Sequence, residues 1–211
     1  MKSCMSGVEI MSYTDFDLKK VKQELGVTLT EKQNVFSAVE SIDISSALTE
    51  ILAENIPLAR AINTEKARSE LIIANILVEV RKILEHKVSL FSGIEFDVDK
   101  EKGLNGVCDF IISASQEQLI LSSPVITVVE AKNENIVGGL GQCIAEMVAA
   151  SIFNKAEGNR VMRLYGVVTT GTAWKFMKMG GLDVVIDLDE YSIENSGKIV
   201  GILLEVLTQN A

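Results

Sequence analysis

Histidine is nearly missing from this chain: His86 is the only one in 211 residues. A site built on paired imidazoles, whether a His-based metal centre or a Ser-His-Asp triad, is therefore not expected. The three cysteines, Cys4, Cys108 and Cys143, are odd in number, far apart and without a C-x-x-C pair. That argues against a disulfide framework or a zinc site and reads as reduced thiols in a cytoplasmic protein. Uninterrupted apolar runs stay far below the roughly 20 residues of a membrane-spanning helix, and Met1 to Ser6 lacks an apolar signal core, so neither insertion nor export is expected. No Gly-x-Gly-x-x-Gly or Gly-Lys-Ser/Thr pattern follows a strand, which disfavours a nucleotide-binding loop. Positive charge is also in short supply, with Lys+Arg 20 against Asp+Glu 29 and a formal net charge of −9. Tight binding of long DNA by this chain alone is not expected.

What is present is a large apolar fraction, 47% of residues, enough for one substantial core without staples. Residues 1–60 read as a helical N-terminal extension: a lysine-rich helix opens at Asp15-Phe16-Asp17 and stops at Gly26, a second runs from Ile44 to Glu54, and the stretch ends near Pro57. Residues 61–211 read as the main domain. A long helix spans Thr64 to His86, with Thr64 as N-cap. Alternation over Leu90 to Val98, then a turn-rich stretch to Gly106, predicts a hairpin into Val107 to Ser113. Pro124 to Val129 is short, β-branched and apolar on both faces, as in a strand at the middle of a covered sheet. Gly138, Gly139 and Gly141 read as a turn before a helix from Gln142 to Ala156. Strands at Val161 to Thr169, Ala173 to Met179 and Val184 to Leu188 precede a final helix at Ile199 to Leu207. The pattern is α/β, a mixed β-sheet flanked by helices.

Two carboxylates break this apolar pattern. Glu130 ends the central strand, and at a period of two it shares a face with Lys132 while Ala131 points away. Asp109 sits inside Gly-Val-Cys-Asp-Phe-Ile-Ile on the preceding strand, where an unpaired charge would cost several kcal/mol. If the two strands pair, the acids approach each other, and their repulsion calls for a cation or a shared proton. A hard divalent ion such as Mg²⁺, which takes one or two carboxylates, a carbonyl and several waters, meets that need.

An acid on a hairpin strand followed by Glu-x-Lys at the end of the next strand, with a preceding helix bearing an early Glu and a following helix bearing Gln, resembles the PD-(D/E)xK nuclease superfamily. The likeness spans roughly residues 64 to 180 and looks closest to the nuclease domain of type I restriction enzyme motor subunits. It implies a restriction-endonuclease-like fold. Asp109 and Glu130, with the carbonyl of Ala131, correspond to the family's metal-binding acids, and Lys132 to its catalytic lysine. Glu70, in Arg68-Ser69-Glu70-Leu71, matches the acid of the first core helix and a further metal position. Gln142 matches the polar residue that follows the motif. In place of the family's Pro-Asp stands Cys108-Asp109. The resemblance implies Mg²⁺-dependent hydrolysis of nucleic acid, DNA before RNA, with Mn²⁺ able to substitute, and with a homodimer or a partner protein contributing substrate binding. The alternative is the same fold retained as a non-catalytic module that binds nucleic acid or protein. Trp174 and Phe176 are expected to pack, and Lys19, Lys20 and Lys22 to form a solvated helix face.

Overall fold

The computed structural model describes residues 11–209; Cys4 and the Met1–Ser6 start lie outside them. Eight strands form one mixed sheet: β1 (Thr28–Gln33), β2 (Ser89–Glu95), β3 (Val107–Ser113), β4 (Val125–Ala131), β5 (Leu164–Thr169), β6 (Ala173–Gly180), β7 (Asp183–Asp187) and β8 (Tyr191–Ser192). The order across the sheet is β1-β7-β6-β5-β4-β3-β2, with β8 paired to β6. The β4–β5 and β1–β7 pairs are parallel and the others antiparallel. The α/β class and the flanked mixed sheet are as the sequence pattern predicts.

Helices cover both faces. On one side α2 (Ser46–Ile62), α4 (Ala74–Ile83) and α6 (Ser196–Thr208) pack on Phe110, Val129, Tyr165 and Phe176. On the other, α1 (Leu18–Glu24) and α5 (Ile136–Ala156) pack on Ile111, Val128, Val168 and Met177. All seven residues of β4 are buried, because a strand central to a sheet with two covered faces has no solvent side. Trp174 is fully buried and its indole N–H donates to the Gly171 carbonyl at 3.0 Å. Among the described residues α5 alone could cross a membrane by length and composition; here it is the core helix of its face, with most of that stretch buried.

Four expectations are corrected. Residues up to 60 are not helical throughout: β1 joins the sheet as its edge, Leu29 opposite Val184. Its polar sequence hides it, because an edge strand needs only one buried flank. Helix α2 runs past Pro57 to Ile62; proline removes one ladder bond, and the burial of Ala59 and a bond from Asn55 Nδ2 to the Leu71 carbonyl hold the helix together. The long helix is interrupted, α3 (Glu65–Arg68) passing through a π-helical turn at Ser69–Ile73 into α4. The glycines at 138, 139 and 141 are inside α5, which Asn135 caps by accepting the Gly138 N–H at 2.9 Å.

Gly141 is required by a close crossing instead of a turn. A Cβ there would overlap the backbone of Phe16 and Asp17, where α1 begins. Gly141→Ala is expected to destabilise the fold by about 1–3 kcal/mol, the usual cost of overpacking. Urea unfolding followed by circular dichroism checks this, and an unchanged midpoint would contradict the crossing.

Candidate active site

The site forms where β3 and β4 part. Their ladder pairs Phe110 with Val129. One residue further on, the Asp109 side chain takes over, Oδ2 accepting the Ala131 N–H at 2.8 Å. A carboxylate standing in for a ladder carbonyl both ends the pairing and fixes that carboxylate in space. Glu130 points from β4 toward α5, opposite Val168 of β5, and is only 1% exposed.

Lys132 lies on the same side as Glu130, its Nζ at 2.5 Å from Glu130 Oε1 and 3.2 Å from Gln142 Oε1. Gln142 in turn donates from Nε2 to Glu146 Oε1 at 3.1 Å. Glu130 Oε2 and Glu146 Oε2 are buried without a hydrogen-bond partner. The sequence-predicted residues Asp109, Glu130, Lys132 and Gln142 are thus gathered at one strand end. Gln142 stands in the second turn of α5, where its amide serves Lys132 and Glu146 and not the free backbone groups of a helix start.

Glu70 occupies a different position. It lies on the rim of a cleft of about 260 Å³ lined also by Glu65, Lys66, Ser69, Ser92, Gly93, Asp109 and Ala131. Its carboxylate pairs with Lys66 at 2.7 Å and is 62% exposed. Glu70 does not share the buried side of this helix with Ile73 and Leu77: those two are buried and Glu70 is not. The π turn holds one more residue than an α turn and so shifts the helix faces on either side of it. Asp109 opens into this cleft, whereas Glu130 lies behind it.

Electrostatics follow from burial. Desolvation, opposed by the bond from Ala131, raises the Asp109 pKa. Burial and the neighbouring Asp109 charge raise Glu130 to about 7. Burial, then Glu130, raises Glu146 well above the carboxyl range. Burial pulls the Lys132 pKa down, but contact with Glu130 outweighs it and the net shift is upward. Lys132 is therefore an ammonium.

Two groups here escaped sequence reasoning. Glu146, fully buried, shows the same anomaly as Glu130, an acid within Cys-Ile-Ala-Glu-Met-Val, one helical turn beyond Gln142. Arg68 anchors the loop after Lys132, donating from Nε to Asn133 Oδ1 at 3.1 Å, from Nη1 to the Thr170 carbonyl at 3.0 Å and from Nη2 to Asn63 Oδ1 at 3.0 Å. No sequence signal marks it, since its three partners come from separate segments.

Among the described residues no group of three or more His, Cys, Asp or Glu is arranged to hold a metal ion. A Mg²⁺ site asks for less, one or two carboxylates completed by carbonyl and water. Asp109 and Glu130 fit that smaller set: both are oxygen donors, one Glu130 oxygen is unpartnered, and a positive charge would relieve the repulsion that raises the Glu130 pKa. Comparison with protein-family models and with curated proteins gives no match.

The raised acids carry a stability signature. A carboxyl whose folded pKa lies above its unfolded value contributes stability that is present below the unfolded value and lost as pH rises toward the folded one. Stability should decline from about pH 4.5, the ordinary Glu value, through neutrality. Glu146→Gln removes one such group, so its melting temperature relative to wild type should be higher at pH 8 than at pH 4.5 by roughly 3 °C, the shift per kcal/mol for a domain of this length. A pH-independent difference in paired melting scans would show that Glu146 is ionised in the fold.

Proposed function

We propose that the chain is a metal-dependent nuclease of the PD-(D/E)xK type, with a restriction-endonuclease-like fold, hydrolysing phosphodiester bonds of nucleic acid, DNA before RNA. The observation that carries this reading is the meeting of Asp109, Glu130 and Lys132 where β3 and β4 separate, with Asp109 held by the Ala131 amide at 2.8 Å and Lys132 by Glu130 at 2.5 Å. In this reading Asp109, Glu130 and the carbonyl of Ala131 hold Mg²⁺ or Mn²⁺, and Glu70 and Glu65 form the cleft's outer acidic rim. When bound, such an ion would acidify water and stabilise charge at the phosphate. Lys132, charged and held by Glu130 and Gln142, is placed to orient the attacking water and to offset negative charge developing on the scissile phosphate. Its raised pKa favours this electrostatic role over that of a general base. The protein is read as cytoplasmic.

The net charge of −9 favours a second reading, a nuclease-like module that binds nucleic acid or a protein without turnover. Under the first reading the same charge calls for a partner, a second copy or another protein, to present the substrate.

Mn²⁺ should raise the melting temperature of wild type and do so more at pH 8 than at pH 6, because protons compete for Glu130 below about 7. Asp109→Ala and Glu130→Ala should show little of this shift. Lys132→Met should keep it while cleavage of short DNA or RNA at low salt falls by on the order of a hundredfold or more. Metal-dependent stabilisation without cleavage by wild type would establish the binding module; equal shifts in wild type and both alanine variants would remove the metal site.

A further inference from the structure

Helix α5 carries a fully buried acid, Glu146, in a setting where stability alone would place an apolar residue. Cys143, Met147 and Ala150 around it are buried and apolar, and one of its oxygens has no hydrogen-bond partner. Burying such a group is unfavourable unless something in the fold requires it. It accepts a hydrogen bond from Gln142, four residues earlier on the same helix face.

A glutamine amide has an acceptor end and a donor end, and which end faces which neighbour decides what it can hold. Here the donor end meets Glu146 Oε1 at 3.1 Å and the acceptor end meets Lys132 Nζ at 3.2 Å. The Lys132 ammonium can only donate, so the amide oxygen must face it, which leaves the amide nitrogen for Glu146 Oε1. If the amide turned over, its NH₂ would point at an ammonium, two donors face to face. Gln142 is itself 7% exposed, so water has little room to substitute for either partner. The order of the contacts runs Glu146, Gln142, Lys132, Glu130, and its sense is set at the Lys132 end, because an ammonium has no acceptor.

We propose that Glu146 is a positioning residue that anchors the Gln142 amide by accepting its N–H and through it holds the Lys132 ammonium in place. Its catalytic consequence rests on the nuclease reading, whereas the anchoring of the amide does not. The action proposed here on Lys132 runs through Gln142.

The test compares Glu146→Met, which keeps size but removes the acceptor, with Glu146→Gln, whose amide oxygen can still accept from Gln142. In ¹H–¹⁵N NMR spectra of wild type, the Gln142 side-chain NH₂ and the Lys132 ammonium should be protected from solvent exchange. Protection of both should fall by about tenfold in Glu146→Met, the scale of a lost hydrogen bond to a charged group, and should largely return in Glu146→Gln. Where wild type cleaves nucleic acid, Glu146→Met should lower kcat by about tenfold with little change in KM, and should add little in a Gln142→Met background. Unchanged protection in Glu146→Met overturns the proposal. So does a Glu146→Gln variant as impaired as Glu146→Met, since an acceptor for the Gln142 amide would then not be what matters. Failure of wild type to cleave would count against the nuclease reading alone and leave the NMR comparison to decide this one.

Discussion

A carboxylate at the end of a strand covered on both faces has to be compensated, and the arrangement around Glu130 follows from that requirement. The side chain is 1% exposed, so water cannot do the work, and its neighbour Asp109 adds repulsion. Lys132 supplies the opposite charge from two residues away on the same strand face. That places an ammonium in a poor solvent, where it in turn needs acceptors, and Gln142 provides one. The amide of Gln142 then needs a partner for its donor end, which is Glu146. Each group is there because the previous one cannot stand alone in a medium of low polarity.

The same end of the sheet is held from the other side by Arg68. A guanidinium offers several donors in a fixed plane, and here three of its nitrogens reach the α2 C-cap residue Asn63, the loop residue Asn133 and the turn carbonyl of Thr170. Lys132 is followed directly by Asn133, so the loop that leaves the site cannot swing without breaking this set. The turn at Gly171 lies close against Ile72 of the π-helical segment, whose neighbours Ser69 and Glu70 line the cleft. Cleft and buried network therefore share one rigid frame. The N-terminal residues belong to it too: β1 closes the sheet beside β7, and α1 crosses α5 at Gly141. Lys198 of α6 donates to the carbonyls of Phe36, Ser37 and Val39, tying the segment after β1 to the last helix.

Much of the strand content was legible because burial on two faces writes itself as a run of β-branched residues. Val125 to Val129 needs no partner to be recognised. Asp109 and Glu130 stood out for the converse reason, as charges in places where charge is costly. Glu146 obeys the same logic, but a helix spreads its buried face over every third or fourth position, and one acid in that spacing looks like a solvent-facing residue until the helix is seen to be buried almost all round. Edge strand β1, with its polar Thr-Leu-Thr-Glu-Lys-Gln, carries little pattern because only one flank is paired.

By itself, then, the sequence determined the α/β class, the central strand and the identity of the acid pair and lysine, since each depends on local alternation or on the cost of burying charge. Tertiary structure alone decided which faces meet. The π turn sets Glu70 on the cleft rim, paired with Lys66, and apart from the buried network. Close crossing of α1 and α5, not turn geometry, accounts for Gly141. Gln142 and Glu146 enter the site because α5 lies across β4 and β5, and Arg68 because three distant segments converge on it. Such contacts depend on distances between chain segments far apart in sequence, and no local pattern encodes a distance.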